Sequence, residues 1–300
     1  MKRLIKISLL PILILILNTS YFGNTNLSKI ESFSGIKLDI ICQDYMPGEV
    51  MLVKTKKEEQ LRNVQISFLG KVFQMAENDN AEELISFVGI DLGLNSGFYD
   101  LKISFKNRQD EIEYIQKRIF IEEKQFPVKK LWVEERYVIP PEKEKERIQR
   151  EHKKLKALYK KYTLEWLGEG KFVVPTEGKI FYNFGQRRIL NNKPRSQHSG
   201  VDISAPTGTL VRASNSGKVV MADDLYFSGN TVIIDHGLGV FSLYCHLSEI
   251  LVKKGEPVKK SDIIGKIGAT GRVTGPHLHW GFKVSGSRVD PFSLVNLEDL

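Results

Sequence analysis

Short runs of alternating apolar and polar residues fill the chain from Gly35 to about Glu122, with turn residues between them. In one run Leu101, Ile103 and Phe105 alternate with polar residues, as on a strand with one buried face. The runs predicted to be strands are Ile36–Ile41, Val50–Thr55, Val64–Leu69, Ile85–Val88, Tyr99–Phe105 and Arg118–Ile121. Short strands at this spacing predict an immunoglobulin-like β-sandwich over residues 30–128, and no catalytic cluster stands in it.

A helical pattern replaces the alternation between residues 140 and 167. Apolar residues recur there at helical spacing among many charges, at Ile148, Leu155, Leu158 and Tyr162. Pro141 suits the first turn of a helix, and the polar His152 lies among charged neighbours. We predict an amphipathic linker helix with His152 on its solvated surface. Because most of that surface is polar, we expect few contacts between the flanking domains, and we expect a fragment beginning near Gly168 to fold by itself.

Short strands return after Lys171, now with many glycines between them. The predicted strands are Phe172–Val174, Val219–Met221, Thr231–Ile234, Val240–Leu247, Ile263–Ile267 and Leu278–Val284. Such spacing is typical of antiparallel sheets. Residues 168–297 are therefore predicted to form an antiparallel β domain, and the protein as a whole to be mainly β.

Composition agrees with a globular protein and narrows its partners. The chain has 300 residues, of which 41% are hydrophobic and 27% charged, and its formal net charge is +8. That length favours two domains. A moderate positive excess favours approach to a polyanion. No dense stripe of Lys and Arg with interleaved aromatic residues occurs, which argues against nucleic acid as a partner.

The first residues have the pattern of an export signal. Lys2, Arg3 and Lys6 precede an apolar run from Ile7 to Leu17, which is too short to span a bilayer. A buried hydrophobic helix is the alternative. We predict a signal peptide at residues 1–24 and an exported protein, periplasmic, wall-associated or extracellular, with no membrane span after cleavage.

Export would permit a disulfide between the two cysteines, Cys42 and Cys245. However, alternation along Val240–Leu247 places Cys245 on an apolar face with Phe241 and Leu243. A buried free thiol is therefore preferred to a bridge between two distant segments.

Histidines concentrate in the last third of the chain, where His277 and His279 flank Leu278. On a strand, residues two apart share a face, so the two imidazoles would lie side by side while Leu278 and Trp280 point into the core. Two neighbouring imidazoles suit metal binding or catalysis, and two structural histidines are the alternative.

A second cluster supplies further donor atoms. His198 and Asp202 are separated by an even number of positions, so on an extended segment their side chains lie on the same face. Two imidazole nitrogens and one carboxylate oxygen make a three-ligand zinc site with an open position, the catalytic arrangement. Alternation places His246 with Ser242 and Tyr244, opposite the apolar face, whereas His236 lies in a predicted hairpin turn and has no ligand role.

Together these residues resemble the lysostaphin-type zinc endopeptidases, also called the LytM family. The resemblance rests on His198-x-x-x-Asp202, Tyr244-x-His246-Leu247 and Gly275-Pro276-His277-Leu278-His279, in that order. Supporting matches are Phe184-Gly185-x-Arg187, Gly200-Val-Asp-Ile-Ser-Ala-Pro and Gly265-x-x-Gly268-x-Thr270-Gly271. The resemblance covers residues 172–291 and implies the duplicated hybrid motif fold of that family.

Position by position, the resemblance implies one zinc ion held by His198, Asp202 and His279, with His246 and His277 as unligated catalytic histidines. Zinc lowers the pKa of bound water towards ~7 and polarises the scissile carbonyl. No His-Glu-x-x-His occurs, so one or both unligated histidines would accept the proton of the water.

The family implies an endopeptidase that hydrolyses peptide crosslinks of bacterial peptidoglycan. Some relatives that cut glycine bridges have a tyrosine shortly before the first histidine, but residues 185–197 contain none. Direct crosslinks between stem peptides are therefore the favoured substrate. Two alternatives remain: a non-catalytic LytM-type activator of a wall amidase, and a peptidoglycan-binding module.

Overall fold

The computed structural model describes residues 26–31, 37–58, 62–78 and 81–297. The predicted signal peptide at residues 1–24 lies outside these ranges and stays a prediction. Within them, no helix has the length and apolar character needed to cross a membrane. Strands dominate, as the alternation predicted.

Two antiparallel sheets form the N-terminal domain. Its strands are β1 (Asn26–Glu31), β2 (Lys37–Cys42), β3 (Val50–Lys56), β4 (Arg62–Phe68), β5 (Lys71–Gln74), β6 (Ala76–Glu77), β7 (Glu83–Gly89), β8 (Gly97–Lys106) and β9 (Ile112–Ile121). The first sheet has the order β1-β2-β3-β7-β6 and the second the order β5-β4-β8-β9. Apolar side chains from both sheets form one core. A β-sandwich is therefore present, and its immunoglobulin-like type stays a prediction.

The middle strands of the first sheet, β3 and β7, are buried on both faces. Four consecutive apolar residues, Val50 to Val53, are all fully buried on β3. Met51 and Val53 pack in the core of the sandwich. Val50 and Leu52 point the other way and belong to the core of the C-terminal domain. Because side chains alternate across a strand, a continuous apolar run is what a strand with two buried faces requires.

Polar contacts also join the two domains. The backbone N–H of Asp290 donates to the carbonyl of Gly48 at 2.7 Å, and Arg288 Nη2 lies 2.6 Å from Asp91 Oδ1. Across the same interface, the Phe87 and Trp166 rings lie 4.9 Å apart. The expectation that few contacts join the domains is therefore wrong. The expectation considered only the polar linker helix, whereas the contacts between the domains come mainly from the strands and the loops beside them.

This interface leads to a prediction about stability. A fragment of residues 168–300 would expose the surface that Val50, Leu52 and Phe87 cover. At about 1.5–3 kcal/mol for each of these three buried side chains, we expect its free energy of unfolding to be lower by roughly 4–9 kcal/mol. Urea unfolding of the fragment and of residues 26–300 measures the difference. Equal stabilities would restore the expectation of independent domains.

The segment between the domains docks on the C-terminal domain. It contains β10 (Val128–Leu131), a short 3₁₀ helix (Glu135–Tyr137) and α1 (Glu142–Leu158). The predicted linker helix is thus present, with His152 exposed on α1. It is shorter than predicted, because α1 ends at Leu158 and Tyr162 lies beyond it. Leu158, at the end of α1, packs in a small apolar cluster with Phe241.

The C-terminal domain contains twelve strands of the described chain. They are β11 (Lys179–Phe181), β12 (Arg187–Leu190), β13 (Lys193–Gln197), β14 (Gly200–Ser204), β15 (Leu210–Arg212), β16 (Gly217–Leu225), β17 (Gly229–Asp235), β18 (Val240–Ile250), β19 (Pro257–Val258), β20 (Ile263–Ile267), β21 (Leu278–Val284) and β22 (Ser287–Val289), followed by α2 (Pro291–Val295). The order β11-β14-β21-β18-β17-β16-β19 forms the path of the main sheet. The predicted strand Phe172–Val174 is wrong: Phe172 is buried outside any strand, with its ring against Phe282.

Both cysteines have the state preferred from the sequence. Cys42 and Cys245 are free and buried. Burial raises the pKa of the Cys245 thiol to about 12. The prediction of a buried free thiol is therefore confirmed.

Candidate active site

Two neighbouring antiparallel strands bring Asp202 and His279 together. Asp202 on β14 pairs directly with His279 on β21, and His198 stands two residues before β14 begins. Asp202 Oδ1 lies 3.1 Å from His198 Nε2 and 3.2 Å from His279 Nδ1. The three donor atoms lie within 4.8 Å of one another. The structure thus brings together all three residues for which a ligand role is predicted.

Alternation on β21 explains how His279 reaches this site. Leu278 and Trp280 are fully buried in the core, so His279 projects from the opposite face. Gly200 leaves room for the imidazole: a Cβ at that position would lie 2.8 Å from His279 Cε1 and 2.4 Å from the Trp280 carbonyl oxygen. A glycine is therefore needed where β14 passes the histidine.

Two further residues orient the donor atoms, and sequence reasoning missed both roles. Asn183 Nδ2 and Arg188 Nη2 donate to Asp202 Oδ2 at 2.9 and 2.7 Å. The Asn183 carbonyl oxygen lies 3.0 Å from His198 Nδ1. The Asp202 carboxylate is therefore held through Oδ2, so Oδ1 faces the histidines, and His198 presents Nε2. Such outer contacts fix the orientation of metal ligands. The motif around Gly185 was the only sequence signal near them.

A β-bulge places His246 beside this group. His246 has a φ of +65°, and β18 has an extra residue there relative to β17, where Tyr244 pairs with Val232 and Leu247 with Asn230. The expectation that Tyr244 shares the face of His246 is therefore wrong, because Tyr244 is fully buried in the core. The bulge reverses the alternation after Tyr244 and aims His246 away from the core.

His246 and His277 have the same environment on one side of their rings. His246 Nδ1 lies 2.8 Å from the Thr270 carbonyl oxygen, and His277 Nδ1 lies 2.8 Å from that of Gly275. A carbonyl accepts only, so each Nδ1 carries a proton, and in the neutral form of either ring the lone pair is on Nε2. The two rings lie 5.0 Å apart. His277 Nε2 lies 3.7 Å from Asp202 Oδ1, although His277 precedes β21 and is not on the strand with His279.

His236 stands apart from this group. It is fully buried, and its ring nitrogens lie 2.7 Å from the Ser216 carbonyl oxygen and 2.7 Å from Ser242 Oγ. Both ring nitrogens of His236 are therefore engaged within the protein.

Burial controls the charge of the site. It lowers the pKa of His198 to about 4 and that of His246 to about 3, so both rings are neutral at pH 7. Burial opposes the charge of Asp202, but hydrogen bonds with His198 and His279 outweigh it and hold the pKa of Asp202 well below its usual range. Neutral imidazoles and an ionised carboxylate are the protonation states that bind a divalent metal.

The contact between Arg188 and Asp202 makes a testable prediction. We expect Arg188→Gln to weaken metal binding by roughly 10- to 100-fold, because Asp202 loses one of the two donors that hold Oδ2. Competition with a chromophoric chelator measures the affinity. Arg187→Gln is the matched control, since Arg187 is the exposed neighbour on the same strand. Equal affinities of the two variants would contradict the orienting role.

The sequence around this site is similar to that of known peptidases. Residues 196–291 match the model of Peptidase family M23. Over 121 residues the chain is 43% identical to the peptidoglycan DD-endopeptidase ShyA of Vibrio cholerae. This alignment covers 40% of this chain and 28% of that protein. It is 43% identical over 98 residues to the DD-carboxypeptidase/endopeptidase Mpg of Neisseria meningitidis, covering 33% of this chain and 23% of that protein. The chain thus spans about a quarter of the length of these curated relatives.

Similarity to one solved structure extends beyond the C-terminal domain. A putative peptidase M23 from Pseudomonas aeruginosa superposes with a TM-score of 0.65 and 29% sequence identity. The alignment covers 84% of this chain and 95% of that chain. It therefore includes part of the N-terminal half of this chain.

Proposed function

Residues 196–291 of this chain belong to peptidase family M23, and from that premise we propose that the protein is a zinc-dependent endopeptidase that hydrolyses peptide crosslinks of bacterial peptidoglycan. The observation that carries the proposal is the convergence of His198, Asp202 and His279, with donor atoms within 4.8 Å, beside two further imidazoles. A metal site with a purely structural role would not need His246 and His277 beside it with free Nε2 atoms.

The donor set fits one zinc ion. Two imidazole nitrogens and one carboxylate oxygen, without thiolate, are typical of catalytic zinc sites, which keep a position open. His198, Asp202 and His279 would hold the ion, with Asn183 and Arg188 fixing Asp202 behind it. When bound, zinc supplies Lewis acidity that polarises the scissile carbonyl and acidifies water.

His246 and His277 are proposed to move the protons. Each ring donates Nδ1–H to a backbone carbonyl, so its Nε2 can accept a proton from the water that attacks the peptide carbonyl. Once protonated, Nε2–H can donate to the developing oxyanion or to the leaving amine. Burial lowers the pKa of His246, so this ring is in its neutral form before the reaction.

Stem-peptide crosslinks are the proposed substrate class. Relatives that share the C-terminal domain bear the name peptidoglycan DD-endopeptidase. The absence of tyrosine from residues 185–197 favours direct crosslinks over glycine bridges. Peptidoglycan lies outside the cytoplasm, so this function requires export, and the predicted signal peptide at residues 1–24 supports it.

Digestion of purified sacculi tests the proposal. We expect the protein of residues 26–300 to convert crosslinked fragments into uncrosslinked ones, to stop with a chelator and to recover with added zinc. Retained binding to sacculi with no cleavage would favour a binding module. Cleavage that appears only when an amidase is added, at the amide to the sugar, would favour a non-catalytic activator.

A further inference from the structure

We propose that Lys129, on the segment between the two domains, binds a free carboxylate of the substrate peptide close to the scissile bond. This inference rests on the proposed function and adds a specificity-determining residue to it.

A small basic sheet adjoins the candidate active site. β10 pairs in parallel with β12, and β12 pairs with β13. The three strands have no Asp or Glu. Their basic residues are Lys129, Lys130, Arg187, Arg188, Lys193 and Arg195. Six cations and no carboxylate on thirteen strand residues make this edge of the domain a site of positive potential.

Register selects one cation from this set. Lys129 is paired with Arg188, and paired residues on neighbouring strands project to the same face of a sheet. Arg188 reaches Asp202 Oδ2 from that face. Lys129 therefore stands one strand further out, about 4.8 Å from Arg188 along the sheet. Lys130 is the next residue and projects to the other face.

Among the cations of this face whose side chains the structure describes, Lys129 is the one that is free for a ligand. Arg188 is engaged by Asp202 at 2.7 Å, and Lys193 lies 3.6 Å from Glu135. Lys129 is exposed and has no carboxylate partner in the described part of the chain. An unpaired ammonium beside a hydrolytic site for peptides attracts a substrate carboxylate, and stem peptides carry such groups.

The anchorage of β10 keeps Lys129 in place. Arg187 N–H donates to the Pro127 carbonyl at 2.9 Å, and Asn191 N–H donates to that of Leu131 at 3.0 Å. Just before β10, the Phe126 ring lies against Gly185: a Cβ there would be 2.1 Å from a ring carbon. The segment between the domains thus forms a fixed wall of the site.

Two soluble crosslinked peptides test the inference. They are identical except that the carboxylate on the residue that supplies the scissile nitrogen is free in one and a carboxamide in the other. The protein of residues 26–300 carries Lys129→Ala, and Lys130→Ala on the opposite face is the matched control. For the free carboxylate we expect Lys129→Ala to lower kcat/KM by about 5-fold, mainly through KM. For the carboxamide we expect no change, and Lys130→Ala should match the unsubstituted protein on both.

Binding is measured as well, so that the inference does not depend on turnover. Both peptides are titrated into protein that carries His246→Ala, with and without Lys129→Ala. A weaker affinity confined to the free carboxylate supports the inference, even if the peptide is never cleaved and the proposed function fails. Equal losses on both peptides, or none, would overturn it. So would a defect seen only on sacculi, which would assign Lys129 to an anionic wall polymer.

Discussion

Replacing His279 with alanine should remove most of the bound zinc and reduce hydrolysis of crosslinked peptides to background. His279 Nδ1 lies 2.7 Å from His198 Nε2 and 3.2 Å from Asp202 Oδ1. Loss of one of three protein ligands leaves only two donors, fewer than a catalytic zinc site requires. Metal analysis of the purified protein should find about one equivalent before the substitution and little after it.

The control for this experiment is another histidine of the same chain. His152 is exposed on α1, so His152→Ala should keep its zinc and its activity. Because His279 sits at the middle of the sheet, the fold of His279→Ala is checked by circular dichroism. A folded His279→Ala protein with its full complement of zinc would refute the ligand assignment.

His246→Ala and His277→Ala should separate catalysis from metal binding. Neither residue is among the three donors that converge, so both variants should retain zinc. Each loses a ring whose Nε2 is available for proton transfer, and we expect hydrolysis to fall by on the order of 100-fold or more. The decisive readout is the pair of numbers, zinc per protein and kcat, for each variant.

The outcomes of this pair are informative in different ways. Near-normal turnover in one variant would remove that histidine from the mechanism. Loss of zinc from His246→Ala or His277→Ala would instead make that residue a ligand. Because the rings lie 5.0 Å apart, the double variant tests whether they act as one unit, in which case its loss would be smaller than the product of the single losses.

Strand periodicity predicted the parts of the site that lie on regular strands. Leu278–Val284 was predicted with the bounds that β21 has, and the parity of Leu278 and Trp280 placed His279 on the opposite face. A period of two is a local property of the chain, so it can be read without the fold. The order of the strands along the chain could not by itself show that Asp202 pairs with His279.

The prediction from strand alternation was wrong where the backbone departs from a regular strand. The positive φ of His246 reverses the alternation after Tyr244, and no glycine marks the bulge in the sequence. Arg188 and Lys129 were missed for another reason, because their roles come from contacts with other segments. Arg188 acts through its contact with Asp202, 14 residues away, and Lys129 through pairing between segments about 60 residues apart. The apolar run Val50–Val53 is typical of a strand with two buried faces. Nothing in the sequence identified the surface of the C-terminal domain that covers the second face.

Hydrolysis of one soluble crosslinked stem peptide in water labelled with heavy oxygen tests the central claim most directly. The purified, zinc-loaded protein of residues 26–300 acts alone, and mass spectrometry locates the label. We predict two uncrosslinked peptides, with one labelled oxygen in the new carboxylate, and no products with Asp202→Ala. An intact crosslink after incubation with the folded, zinc-loaded protein would contradict the account.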